Sequence, residues 1–210
     1  MTLDVGSLLI ALTVNMVTVA VALPAVMGKV NTAARRVQIG AIAQAAAWVL
    51  LLMSETMERG SLTDRVLSTL AMVGISGGVA LYATAFNLWC GHTDTAARAR
   101  WPALIAVAVP VGYCIGFSNY AFRVGWANGL DAVQLLLVAV ALWRKPALPV
   151  GRWRWLLVVS LLVQSAFTAW RGAIGAFQTE LLPQFLAPNV VNVMFALAAN
   201  ATAILLDVST

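Results

Sequence analysis

Charge is scarce in this chain. Of 210 residues only 10% are charged, 61% are hydrophobic, and the mean hydropathy is +0.88. Soluble domains carry about a quarter charged residues. A single core cannot hide this much apolar surface, so lipid must cover a large part of it. Histidine occurs once, as His92, and cysteine twice, as Cys90 and Cys114. That is too few ligands for a zinc hydrolase centre and too few thiols for a disulfide framework. Lysine occurs only as Lys29 and Lys145, both between apolar runs, which excludes a retinal-type Schiff base inside the membrane. No G-x-S-x-G, phosphate loop or dinucleotide fingerprint is found. The chain is not expected to be an enzyme, and neither cofactor nor metal is expected.

What is present is a series of long apolar runs. At about 1.5 Å rise per residue, a bilayer core of roughly 30 Å needs roughly 20 residues. Seven runs approach that length, at about 5–27, 37–57, 66–89, 102–117, 124–143, 155–177 and 190–206. The expected fold is all-α, a polytopic bundle of seven transmembrane helices forming one domain over 1–210. The fourth run is short and holds Pro110. Spans one and two with their basic loop resemble spans five and six in layout, which leaves a three-plus-one-plus-three arrangement open.

Basic residues set the orientation. The loops after spans one, three and five hold Lys29, Arg35, Arg36, Arg98, Arg100, Arg144, Lys145, Arg152 and Arg154, nine of the thirteen. Those loops are therefore cytoplasmic, with the N-terminus outside and the C-terminus inside. Trp89, Trp101, Trp143, Trp153 and Trp155 flank the same loops, as an interfacial belt does. The net charge of +5 records topology and leaves no nucleic-acid footprint. Arginine outnumbers lysine eleven to two, the bias of a GC-rich bacterial genome, and a bacterial inner membrane is the expected home.

Polar residues within the spans carry the functional signal, because lipid gives them no hydration. In span six, Gln164, Thr168, Arg171, Gly175 and Gln178 fall on one helical stripe. Span five carries Asn128, Asp131 and Gln134, and span seven Asn189, Asn192 and Asn200. Arg171 lies seventeen residues beyond Arg154, about 25 Å up a core of roughly 30 Å. Asp131, Asn15, Glu55 and Asn192 fall in the same outer half by similar counts. Arg171 can either snorkel to the headgroups or face inward and pair with Asp131 or Glu55 around a cavity. The shared stripe favours the cavity. The candidate ligand-binding residues are therefore Arg171, Asp131, Glu55, Asn15, Gln134, Gln164 and Asn192. Gly74 with Gly78, Gly112 with Gly116, and Gly125 with Gly129 are small-xxx-small pairs, read as packing inside the bundle before dimerisation.

Two stretches carry a resemblance. ALYATAFNLWCGHTD closes span three with a short basic loop, and RWRWLLVVSLLVQSAFTAWRGAIGAF carries a late arginine. With a last span leading to the cytoplasm, the layout resembles the multi-span, membrane-associated sensor regions at the N-terminus of bacterial GGDEF diguanylate cyclases. The outer-half polar cluster points to a periplasmic or lipid-borne small molecule as ligand, and the resemblance implies a signal-input domain. It also implies a cytoplasmic output domain, or a homodimer partner, reached through the last helix. The sequence ends at Asp207–Thr210 with no cyclase domain. The rival expectations are a small transporter or channel, which needs a polar track across the whole membrane, and a structural subunit without a void.

Overall fold

A computed structural model describes residues 4–27, 31–92, 95–148, 151–181, 186 and 189–209, with helix residues 23–27, 95–96 and 206–209 described by backbone alone. Lys29 and Asp94 lie outside the described residues. Every long apolar run forms a helix. They are α1 (Val5–Met27), α2 (Thr32–Ser54), α3 (Leu62–Trp89), α4 (Thr95–Ile115), α5 (Tyr120–Trp143), α6 (Trp153–Phe177) and α7 (Val190–Ser209). A single 3-10 turn, Thr179–Leu181, follows α6. Among the described residues there is no β-strand.

Local chemistry fixes several helix starts. Asn31, Ser61 and Asn119 stand at the N-caps of α2, α3 and α5, and their side-chain oxygens accept from the backbone N–H of Ala34, Asp64 and Phe122. Such caps satisfy donors that the first turn leaves without an intrahelical partner. α2 thus begins five residues before the apolar run expected at 37, and α4 begins seven before 102. Charged residues can start a helix that only later enters lipid, so hydropathy misplaces such ends. α4 runs on through Pro102 and Pro110. Pro110 has no N–H, so the carbonyl of Ala106 loses its helical donor. Ser76 Oγ on α3 donates to that carbonyl at 3.3 Å. On the other flank Gln134 Nε2 of α5 donates to Pro102 O at 2.8 Å and to Ser76 O at 2.9 Å.

Six helices close into a ring. α1 packs on α2 and α7, α2 on α3, α3 on α5, α5 on α6, and α6 on α7. α4 stands outside, against α3 and α5. Small residues set the close approaches. A methyl added at Gly74 would lie 2.7 Å from Ala43 O and from Ala47 Cβ, so α3 touches α2 there through backbone. Gly78 faces Gln44 and the carbonyl of Gly40, while Gly112 and Gly116 receive the rings of Trp126 and Phe122. These glycines pack inside the bundle.

The outer surface is apolar, with Ile10, Val21, Val107, Leu156 and Val159 among many exposed large side chains. Five helices (α1, α2, α3, α5 and α6) are long and apolar enough to cross a membrane, and Val190–Leu205 of α7 is a shorter apolar helix. The chain is a multi-pass membrane protein. At the end carrying the α3–α4 and α5–α6 loops, Trp143 and Trp155 meet edge to face at 5.2 Å, and Trp89 and Trp153 at 6.3 Å. Arg154 lies 4.8 Å over the Trp155 ring. Aromatic and basic groups thus share one rim, as they do at a lipid–water boundary.

Candidate functional site

The ring encloses a cavity of about 850 Å³. Its mouth lies at the end carrying the α2–α3 and α4–α5 loops, among Glu55, Arg59, Ser118, Tyr120, Arg123 and Thr179. Below the mouth its wall includes Asn128, Asp131, Gln44, Gln164 and Arg171. Deeper still it is mainly apolar, reaching Phe86, Leu135, Leu157, Leu161 and Ala203, with Tyr82 and Thr202 as its polar members. Leu157 is four residues beyond the start of α6 and Phe86 three before the end of α3. The void therefore passes well beyond the outer half expected from the polar residues alone.

Arg171 faces inward and is 5% exposed, so it does not snorkel. Its Nε donates to Asn192 Oδ1 at 2.9 Å and its Nη1 to Asn128 Oδ1 at 2.9 Å. Its guanidinium carbon sits 5.3 Å over the Phe195 ring. Asn128 Nδ2 in turn donates to Val124 O at 2.8 Å. One residue from each of α5, α6 and α7 is thereby joined, because the polar stripes of three consecutive helices meet. A charge that cannot reach water needs such oriented dipoles.

The expected pairing of Arg171 with Asp131 or Glu55 is not what forms among the described residues. The guanidinium geometry matches two amide oxygens on neighbouring helices, while Asp131 is one turn deeper on α5 and faces the cavity. Asp131 Oδ1 is buried and accepts no hydrogen bond. Gln164, 7% exposed, also lines the cavity and its Oε1 likewise has no donor.

The other expected residues divide. Glu55 is the C-cap of α2 and stands at the mouth. Glu55 is exposed as a whole, yet partial desolvation there pushes its carboxyl above the ordinary range, opposed by the nearby Arg59. Asn192, 1% exposed, is not part of the cavity wall and holds Arg171 beside it. Asn15 turns to α7, where its Nδ2 donates to Asn200 Oδ1 at 3.0 Å, and Asn200 Nδ2 returns to Leu8 O at 2.9 Å. Gln134, 0% exposed, is the strut between α5, α3 and α4 described above. Neither Asn15 nor Gln134 is part of the cavity wall.

Sequence reasoning left Asn128 out of the site, although its place one turn before Asp131 on the α5 stripe was signal enough. Apart from Glu55, it also left out the mouth. There Ser54 Oγ donates to Asp64 Oδ1 at 2.6 Å and the Gly60 N–H to Asp64 Oδ2 at 2.9 Å. Arg123 lies 4.2 Å over Phe117, 5.2 Å over Tyr113 and 5.6 Å over Tyr120, so its charge is stabilised by ring faces. His92 is half-buried after α3, and its backbone N–H donates to Asn87 O at 3.0 Å. Among the described residues no three His, Cys, Asp or Glu side chains gather as a metal site. No protein-family model matches the chain, and no curated protein or solved structure matches it.

Proposed function

We propose that the chain is the membrane-embedded input domain of a bacterial sensory protein. In this reading it is a seven-span bundle of the inner membrane, with its N-terminus periplasmic and its C-terminus cytoplasmic. It binds a small amphiphile from the periplasm or the outer leaflet in the central cavity. Occupancy passes through α7 to a cytoplasmic output, such as a GGDEF domain, or to a second copy. The reading assigns the chain binding, and leaves any catalysis to the output domain.

The observation that carries it is one void of about 850 Å³ with a polar upper wall and an apolar floor. That volume falls within the range of small-molecule sites, and the polarity gradient suits an amphiphile whose tail points down. α7 supplies Phe195, Ala199 and Thr202 to the wall. It is tied to α1 through Asn200 and to α6 through the 2.7 Å contact of Ser160 and Thr202. A ligand wedged against those residues favours one seating of α7 over another, and shifts the population by its differential affinity alone.

The test fills the void. The full chain and an Ala199→Trp variant are reconstituted in lipid nanodiscs and examined by native mass spectrometry for retained amphiphiles. Ala127→Phe serves as a second filling variant. The wild type is expected to retain them and the folded variants to lose them. Equal retention by a folded, filled variant defeats the reading. A transporter is the second reading, supported by the depth of the void towards Leu157 and Phe86. It predicts flux of a bound amphiphile between liposome leaflets or compartments, which the sensor reading does not require.

A further inference from the structure

We infer that the cavity selects amphiphiles carrying a protonated amine, held by Asp131 and Gln164. This rests on the reading of the void as an amphiphile site and adds the chemistry of the head group. The two side chains come from α5 and α6 and line the same void. Ser165 Oγ donates to Ala132 O at 2.8 Å, pinning the two helices together between them. Along antiparallel helices, Asp131 stands one residue above that contact and Gln164 one residue below it. They therefore share a level of the cavity, within one helical turn of each other.

Both present an acceptor oxygen without a protein donor. Asp131 Oδ1 and Gln164 Oε1 are buried and accept no hydrogen bond. Buried acceptors are nearly always satisfied, and a carboxylate in an apolar wall is the most demanding of them. A group that brings two or three N–H donors and a positive charge meets both needs. An anion meets neither. Arg171 does not reverse this preference, because it stands seven residues, about 10 Å, nearer the mouth than Gln164 on α6. Its donors there engage Asn192 and Asn128, and its charge rests on Phe195.

The experiment uses three probes of equal chain length: dodecylammonium, dodecanol and dodecyl sulfate. Each is titrated below its micellar concentration against the full chain in nanodiscs, with empty nanodiscs as the partition control. Dodecylammonium is expected to bind at least about tenfold tighter than dodecanol, the size of one hydrogen bond to a charged group. In Asp131→Asn that preference falls sharply, and in Gln164→Leu it falls in part. Equal affinity for all three heads, unaffected by either substitution, overturns the amine selection and leaves the amphiphile site standing. Preference for dodecyl sulfate overturns it too, and hands selection to Arg171. Failure of all three probes to bind beyond the control overturns the site itself.

Discussion

Arg171 Nε donates to Asn192 Oδ1 at 2.9 Å, across the α6–α7 seam and away from lipid. The bond spends a charge on holding α7, the helix proposed to carry the signal. Asn192→Leu strips one acceptor from a buried guanidinium and is expected to destabilise by about 1.5–3 kcal/mol. Arg171→Met with Asn192→Leu removes both partners and recovers part of that loss. Thermal unfolding in detergent of the two single variants and the pair measures the coupling. Strict additivity would mean that the contact contributes nothing.

Asp131 behaves oppositely. Its buried oxygen has no donor in the protein, so its removal frees nothing that is paired. Asp131→Leu is expected to leave the melting temperature equal to or above that of the wild type, because an unpaired buried acceptor is itself unfavourable. A marked fall would point to a partner for the carboxylate within the fold.

Glycine positions on α3 separate packing from propensity. Gly74→Ala forces a methyl against Ala43 O and Ala47 Cβ at 2.7 Å, and is expected to cost about 1–3 kcal/mol as overpacking. Gly77 has nothing within 4 Å of an added methyl. Gly77→Ala should therefore be neutral or stabilising by up to about 1 kcal/mol through helix propensity. Comparable losses at both positions would contradict the α2–α3 contact described.

Glu55 gives a pH signature. Its carboxyl is pushed up by partial desolvation at the mouth, opposed by Arg59, although the residue as a whole is exposed. The folded state therefore holds the proton more tightly than the unfolded chain, and folding is penalised at pH above the raised pKa. The penalty disappears as pH falls below the ordinary carboxylate range. Glu55→Gln should melt above the wild type at mildly alkaline pH and converge with it in acid. A difference that does not vary with pH would remove Glu55 from the crowded mouth.

Orientation is checked by labelling. In a Cys90→Ala, Cys114→Ser background, Ser118→Cys and Lys145→Cys place one thiol at each exposed end. A membrane-impermeant maleimide is expected to label the first in spheroplasts and the second only after permeabilisation. The reverse pattern would move the cavity mouth to the cytoplasm and end the periplasmic reading.

Much of this protein is legible in its sequence. The apolar runs gave the helices, because only helices satisfy backbone groups in lipid without help from other segments. The stripe Gln164–Thr168–Arg171–Gly175–Gln178 announced an inward face; its first four residues are buried, while Gln178, at the C-cap of α6, is exposed. Helix starts were less legible at Thr32 and Thr95, since caps and charged first turns leave no mark in hydropathy. The partner of Arg171 was misread, because charge complementarity is visible in sequence and side-chain direction is not.

Composition and periodicity alone decided the solvent, the helices and the existence of a polar face on α5, α6 and α7, since these depend on residue type and spacing along one helix. Only the tertiary structure decided that six helices close a ring with α4 outside. It alone sent Asn15 and Gln134 to helix seams, gave Arg171 to two amides, and left Asp131 beside the void. Those outcomes turn on crossing angle and on which of several polar neighbours comes within hydrogen-bonding distance, and a one-dimensional pattern holds neither.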